Sequence, residues 1–143
     1  MWTTEYRAET TASAEQVWAA LRDLHSGIPL GPNSDTFELH GPFAVGTEVS
    51  VTPQGQDTLR SRIVELEPGR VYADRTEFGG IVLTFRHTLE ALPTGTAVTH
   101  RLEIDGDGAD QVGPELGPQI SSDFPVAMDE LFAAALGAAV RPA

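Results

Sequence analysis

Apolar and polar residues alternate along LTFRHTLEALPTGTAVTHRLEI, residues 83–104, with one short interruption. Successive side chains of a β-strand point to opposite faces, so this alternation predicts two half-buried strands. Pro93 suits the second position of a tight turn, and Gly95 tolerates a positive φ. The segment therefore predicts an antiparallel hairpin with one apolar and one polar face.

Each strand of this hairpin carries a histidine on its apolar face. A four-residue loop joining Ala91 to Thr96 places His87 directly opposite His100. The same register pairs Leu89 with Val98 and Phe85 with Leu102, and Leu83 continues the face. A one-residue slip would turn a whole strand over, so the histidine pair depends on this turn length.

The turns before the hairpin extend this inner face. A two-residue turn at Gly79-Gly80 sets Tyr72 opposite His87. The inner face then gains Tyr72, Asp74 and Thr76. A similar turn at Pro68-Gly69 would set Glu65 beside Tyr72. The resulting polar row, running across four predicted strands, consists of Glu65, Tyr72, His87 and His100.

Outside residues 70–104, the chain predicts four strands, one of them the strand of Glu65, and two helical regions. TTEYRAET alternates as a first strand, and SAEQVWAALRDL follows as a helix with Ser13 and Gln16 forming a capping box. Three alternating segments between residues 35 and 67 bring the total to seven strands. HSGIPLGPN predicts an irregular loop, and we expect His25 and His40 to be exposed.

The C-terminal region changes to a helical period. Apolar residues recur at spacings of three and four at Ile120, Phe124, Met128, Leu131, Phe132, Ala135 and Leu136. This pattern predicts a long helix from about Pro118 to Leu136, kinked at Pro125. GDGADQVGPELGP, just before it, is too rich in glycine and proline to predict a helix.

In this order, the segments SAEQVWAALRDL, GPFAVGTEVSV, RIVELEPGRVYADRT and DFPVAMDELFAAA resemble the SRPBCC superfamily. This is the START-like, birch-pollen-allergen-like group, and the resemblance is to its polyketide cyclase/dehydratase-like branch. It implies an α+β helix-grip fold: a seven-stranded curved antiparallel sheet around a long C-terminal helix, with one or two short helices after the first strand. It also implies one domain over residues 1–143 and an apolar cavity that holds a small hydrophobic molecule.

Inner-face residues of the sheet and of the C-terminal helix are the expected ligand contacts. They are Glu65, Thr76, Leu83, Phe85, Leu89, Val98, Leu102, Phe124, Met128 and Phe132. The resemblance brings no shared catalytic motif, so function must be argued from the site.

The polar row suggests acid–base chemistry. Cyclising or dehydrating a poly-β-ketone requires a base and an acid, roles that His87 and His100 suit because histidine titrates near neutral pH. Tyr72 is a candidate donor to an oxyanion, and Asp74 or Glu65 a candidate to orient a histidine. The alternative is that the histidines are ordinary buried packing residues. Two histidines and a carboxylate do not amount to a metal site, and we predict neither metal nor cofactor.

Composition narrows the possible partners. The net charge is −12, and the nine basic residues are all arginine, which argues against binding nucleic acid or an anionic membrane. No cysteine is present, and no signal segment or apolar run long enough to span a membrane occurs. We expect a cytoplasmic protein, monomeric or homodimeric.

Three functions remain open at this point. The first is a carrier or sensor of a small hydrophobic, aromatic or polyketide-like ligand. The second is a polyketide cyclase/dehydratase that uses His87 and His100. The third is a non-catalytic interaction or dimerisation protein, since one fold hosts unrelated functions.

Overall fold

A computed structural model describes residues 1–140, with the side chains of residues 138–140 excepted. Its centre is one antiparallel sheet of seven strands in the order β1-β7-β6-β5-β4-β3-β2. The strands are β1 Trp2–Thr10, β2 Thr36–Leu39, β3 Glu48–Thr52, β4 Leu59–Glu67, β5 Val71–Phe78, β6 Ile81–Leu92 and β7 Gly95–Gly106. The predicted strand number and the helix-grip architecture are confirmed.

The first helix, α1, spans Ala14–His25 and begins at the predicted capping box. The Gln16 backbone N–H donates to the Ser13 hydroxyl at 3.2 Å, and the Ser13 N–H donates to the Gln16 side chain at 2.8 Å. Two of the backbone donors at the helix start are thereby satisfied. The buried face of α1 includes Val17 and Leu21, which pack over one end of the sheet.

The two hairpins that define the predicted inner face have the expected registers. His87 pairs with His100, Leu89 with Val98 and Phe85 with Leu102. Leu92 also pairs with Gly95, so the turn itself is Pro93-Thr94. In the preceding hairpin, Tyr72 pairs with His87 and Asp74 with Phe85, as the Gly79-Gly80 turn predicts.

The hairpin between β4 and β5 differs from the prediction, which corrects the position of Glu65. Its turn has three residues, 68–70, because Glu67 pairs with Val71 rather than with Arg70. Glu65 therefore lies opposite Ala73 on the outer face, and Leu66 takes the predicted place beside Tyr72. The register shifts again between Ile63 and Glu65, a bulge that restores the predicted pairing of Ile63 with Asp74.

The C-terminal helical region is present, but it begins earlier than predicted and consists of two helices. Helix α2 spans Ala109–Ser121 and α3 spans Phe124–Val140. The Asp123 carbonyl accepts from the Ala127 N–H at 2.9 Å, so Pro125 lies in the first turn of α3. Proline is tolerated there because its missing N–H has no helical partner to lose. Pro125 thus starts a helix instead of kinking one.

Two glycines of α2 allow this helix to pack closely against the Trp2 side chain. A Cβ at Gly117 or at Gly113 would collide with the Trp2 side chain. The two glycines lie four residues apart on one face of α2, where they form a groove that the indole fills. Contact with β1 thus stabilises a helix whose sequence has weak intrinsic helix propensity.

Two clusters of buried apolar residues stabilise the two ends of the molecule. One lies under α1 and includes Val17, Leu21, Leu89 and Val98. The other lies under α2 and includes Leu83, Leu102, Ile104, Ala109 and Phe124. Within residues 1–140, no helix is long and apolar enough to cross a membrane.

Candidate functional site

A cavity of about 750 Å³ lies between the sheet, α1 and the two C-terminal helices. Most of its wall is apolar, formed by side chains such as Leu21, Phe37, Leu83, Phe85 and Met128. Exposed residues of three segments surround the opening: the loop before β2, the β3–β4 loop and the junction between α2 and α3. The structure therefore contains the internal space that the resemblance implies.

Phe124, His100 and His87 form a continuous stack in the cavity wall. The ring of Phe124 lies 3.8 Å from that of His100, centroid to centroid, with the planes 17° apart. His100 lies 3.9 Å from His87, with the planes 25° apart. The break between α2 and α3 places Phe124 at the start of α3, where its ring reaches the sheet.

His25 joins this group, which corrects the expectation that it is exposed. It is the last residue of α1 and is only 3% exposed. Its ring lies 4.0 Å from Tyr72 and 5.7 Å from His87, and its Nδ1 donates to the Leu21 carbonyl at 2.8 Å. The sequence did contain a signal, because His25 follows Val17 and Leu21 at the helical spacing of four. His40 is exposed, as expected.

All three histidines are held in the neutral form near neutral pH. Burial lowers the pKa of His25 to about 4 and that of His100 to about 3. Burial and the neighbouring His100 and His25 lower the pKa of His87 well below its ordinary value. Desolvation disfavours a charged imidazole, and a second nearby imidazolium would repel it. The histidines therefore offer neutral hydrogen-bonding groups to a ligand.

His87 has an unsatisfied ring nitrogen. Its Nδ1 is buried and has no hydrogen-bond partner among the described residues, although the ring lines the cavity. An orphaned buried donor is rarer in proteins than an under-satisfied acceptor. The tautomer with a bare lone pair at Nδ1 is therefore favoured, and this leaves an N–H at Nε2 for a partner.

Tyr72 and Asp74 form a buried pair. The Tyr72 hydroxyl donates to Asp74 Oδ2 at 2.9 Å. Burial raises the pKa of Asp74 to about 6, and the bond from Tyr72 opposes that rise. Burial and the adjacent Asp74 raise the pKa of Tyr72 above its ordinary value. Tyr72 is completely buried and is absent from the cavity wall, so its placement does not suit the predicted oxyanion donor.

The structure sorts the predicted contact residues into three groups. Those in the cavity wall are Thr76, Leu83, Phe85, Phe124 and Met128, together with Asp74, His87 and His100. Those packed in or against the buried clusters instead are Leu89, Val98, Leu102 and Phe132. Glu65 lies on the outer face, where Arg86 Nε donates to its carboxylate at 2.9 Å. Strand alternation places both of the first two groups on the inner face, so it cannot distinguish residues that line the cavity from residues that pack in the core.

Carboxylates near the opening were not predicted. Asp35, Asp57, Asp123 and Glu130 all line the cavity. Glu130 accepts from the Asn33 backbone N–H at 3.1 Å and so connects α3 to the loop before β2. These residues come from loops and a helix end far apart in sequence, so no local pattern brings them together.

Residues 1–141 match the family described as polyketide cyclase / dehydrase and lipid transport. The chain belongs to this family. The match spans nearly all of the sequence and agrees with the resemblance to the SRPBCC superfamily. No curated protein gives a significant match.

Solved structures share the fold of this polyketide cyclase / dehydrase family member at low identity. Norcoclaurine synthase from Thalictrum flavum superposes with a TM-score of 0.72 and 14% identity, covering 94% of this chain and 86% of that one. Ara h 8.0201 superposes with a TM-score of 0.74 and 17% identity, covering 94% of this chain and 97% of that one. Protein NE0264 from Nitrosomonas europaea superposes with a TM-score of 0.74 and 13% identity, covering 98% of this chain and 97% of that one. At these identities the neighbours establish the SRPBCC fold.

In this family member, the wall combines an apolar surface with a few polar groups at defined places. Asp74, His87 and His100 lie on adjacent strands β5, β6 and β7. Among the described residues, no group of three histidine or carboxylate side chains is arranged to hold a metal ion. The polar side chains of the wall can provide hydrogen bonding and proton transfer to a ligand.

Proposed function

We propose that the protein binds a small hydrophobic ligand, aromatic or polyketide-like, in the cavity, as a carrier or a sensor. The observation that carries the proposal is the cavity of about 750 Å³ in a domain of 143 residues. Ligand pockets for small organic molecules measure about 300–1,000 Å³ and combine apolar walls with few polar groups. Empty apolar space of this size costs packing energy, so it is not expected without a use.

The aromatic side chains of the wall favour a ligand with an aromatic ring. Phe85 and Phe124 present aromatic surface, and stacked or edge contacts with a ligand ring add to the energy of burying it. The neutral imidazoles of His87 and His100 can orient polar atoms of the ligand without the cost of burying a charge.

Native mass spectrometry with a panel of flavonoids, fatty acids and reactive poly-β-ketones tests the proposal. We expect a complex of one ligand per chain with at least one flavonoid or polyketide. Ala127 lines the cavity, and Ala133 is an exposed residue of the same helix outside it. Ala127→Trp should therefore abolish the complex, whereas Ala133→Trp should retain it. Failure of every compound to bind, or equal binding by both variants, would contradict the proposal.

A second function, polyketide cyclase/dehydratase, is favoured by one observation. Asp74 lines the cavity next to the histidines, and burial holds its pKa at about 6, close to a working pH. A general base is most effective when its pKa lies near the operating pH. The lowered pKa values of His87 and His100 make them weak bases, so we propose Asp74 as the base and the histidines as neutral donors to an enolate oxygen. The protonated Asp74 then returns its proton to the hydroxyl that leaves as water, which regenerates the carboxylate.

Mass spectrometry of the same mixtures separates the two functions. A carrier returns the poly-β-ketone with unchanged mass, and a dehydratase returns it without one water. Asp74→Asn should then abolish water loss while the complex still forms. Water loss that persists in Asp74→Asn would remove Asp74 as the base, and no water loss with any substrate would leave the carrier.

A further inference from the structure

The charge distribution of the cavity is one-sided. Five carboxylates line it: Asp35, Asp57, Asp74, Asp123 and Glu130. Among the described residues, none that lines the cavity is arginine, and the chain contains no lysine. The described arginines form their ion pairs elsewhere, as in Arg86 with Glu65 at 2.9 Å on the outer face of the sheet and Arg60 with Glu48 at 2.7 Å. The cavity therefore has a negative potential with no internal counter-charge.

Two of these carboxylates, Asp35 and Asp123, show the excess of negative charge most clearly. They come from the loop before β2 and from the start of α3, and both also line a smaller adjoining cavity of about 260 Å³. Burial and the nearby Asp123 raise the pKa of Asp35, and burial raises that of Asp123. Neither forms an ion pair with any residue of the described chain, 1–140. Asp35, which is partly buried, and Asp123, which is exposed at the opening, therefore repel each other and have no ion-pair partner among residues 1–140.

Helix α3 offsets only part of this charge. Asp123 precedes the first turn of α3, where the helix dipole contributes about half a positive charge. That accounts for one of the carboxylates, and Asp35 is not part of any helix. The carboxylates at the opening therefore carry more negative charge than the dipole of α3 can balance.

His87 provides an independent sign that the cavity receives a polar ligand. Its ring lines the wall, and neither the buried Nδ1 nor the Nε2 N–H has a hydrogen-bond partner among the described residues. Buried polar groups normally have partners, and an exception indicates a missing one. A ligand oxygen near His87 would accept from Nε2.

We propose that the ligand is a cation, an aromatic or otherwise apolar amine whose protonated nitrogen lies between Asp35 and Asp123 at the opening while its apolar body fills the cavity toward Phe124 and His87. This inference rests on the proposed function and specifies its ligand class. An ammonium group placed there relieves the repulsion between the two carboxylates. A carboxylate ligand such as a fatty acid would meet like charge at the opening and neutral groups inside, so the site disfavours it.

Three compounds with one apolar body test the charge preference: naphthylethylamine, naphthylethanol and naphthylacetic acid. Calorimetric titration of the wild-type chain at neutral pH should give the amine about tenfold tighter binding than the alcohol, and the acid the weakest binding. Raising the ionic strength should weaken binding of the amine and leave the alcohol unchanged. Equal affinity for amine and alcohol, or preference for the acid, would overturn the inference and leave the proposed function standing.

Matched charge variants locate the cation. Asp35→Asn with Asp123→Asn should reduce amine affinity about tenfold and leave alcohol affinity unchanged. Asp107→Asn with Glu115→Gln removes the same charge from exposed positions outside the cavity and should change neither affinity. Retained alcohol binding shows that the variant is folded. An equal effect of both double variants would show that the net charge of the protein attracts the amine, and would overturn the site. Failure of all three compounds to bind the wild type would overturn the inference, whereas the proposed function is overturned only if the flavonoids, fatty acids and poly-β-ketones also fail to bind.

Discussion

His87 and His100 face each other across β6 and β7, with their ring centroids 3.9 Å apart. Each imidazole is buried, and His25 lies 5.7 Å from His87 on the other side. Protonating any one of them places a positive charge in a largely desolvated position beside two further imidazoles. The cluster is therefore stable only while it is neutral.

Stability should fall as the pH falls below about 6.5. The folded pKa of His25 is lowered to about 4 and that of His100 to about 3, so below the ordinary value of 6.5 the unfolded chain binds more protons. Asp74 acts in the opposite direction, because its pKa is raised to about 6 and protonation below that pH relieves its burial cost. Asp35 and Asp123, whose pKa values are also raised, act in the same direction as Asp74. With three histidines against these carboxylates, we still expect a net loss of a few kcal/mol, on the order of 3, between pH 7 and pH 5.

Urea denaturation at a series of pH values measures this loss. His100→Gln removes one titrating group, so its stability should depend less steeply on pH. His40→Gln, a change at an exposed residue, should keep the wild-type slope. Stability that is flat or rises from pH 7 to pH 5 would show that the histidines are not buried in the neutral form.

Tyr72→Phe should destabilise the protein by about 1–3 kcal/mol at neutral pH, because it leaves the buried Asp74 carboxylate without its donor. The loss should be smaller at pH 5, where Asp74 is largely protonated. Tyr6→Phe, at a partly buried tyrosine with no such bond, is the control and should cost less than about 0.5 kcal/mol. Equal losses for the two variants at both pH values would show that the Tyr72–Asp74 bond is not stabilising.

Gly117→Ala should destabilise by about 1–3 kcal/mol, because the new methyl group collides with the Trp2 indole. Gly137→Ala is a matched change in α3, where nothing lies within 4 Å of the added Cβ. It should stabilise by about 0.5–1 kcal/mol through helix propensity. Thermal unfolding of the two variants distinguishes close packing from propensity, and a gain in both would contradict the Trp2 groove.

Leu102→Ala and Phe85→Ala should separate core from cavity wall. Leu102 is completely buried in a packed cluster, so its truncation should cost about 2–5 kcal/mol. Phe85, its partner across the strands, already faces open space, so its loss should cost less stability but weaken ligand binding. Denaturation of both variants measures the stability loss, and ligand titration measures the change in binding. A larger stability loss for Phe85→Ala would mean that its side of the cavity is filled.

Two of the three hairpin registers were predictable because their turns are short and marked by glycine or proline. The β4–β5 hairpin was not, since nothing local distinguishes its three-residue turn from a two-residue one, and the shift moved Glu65 to the outer face. Helix α2 was missed for a related reason. Its glycines lower helix propensity but accommodate Trp2, a residue about 110 positions away.

The sequence by itself determined the first helix, the seven strands and the opposed pair His87 and His100, because alternation, capping and turn chemistry act over a few residues. Only the tertiary structure decided which inner-face residues line a cavity, that His25 joins the histidine cluster, and that Asp35 and Asp123 line the same cavity. Those facts depend on contacts between distant segments and on where packing leaves a space, and a one-dimensional pattern records neither.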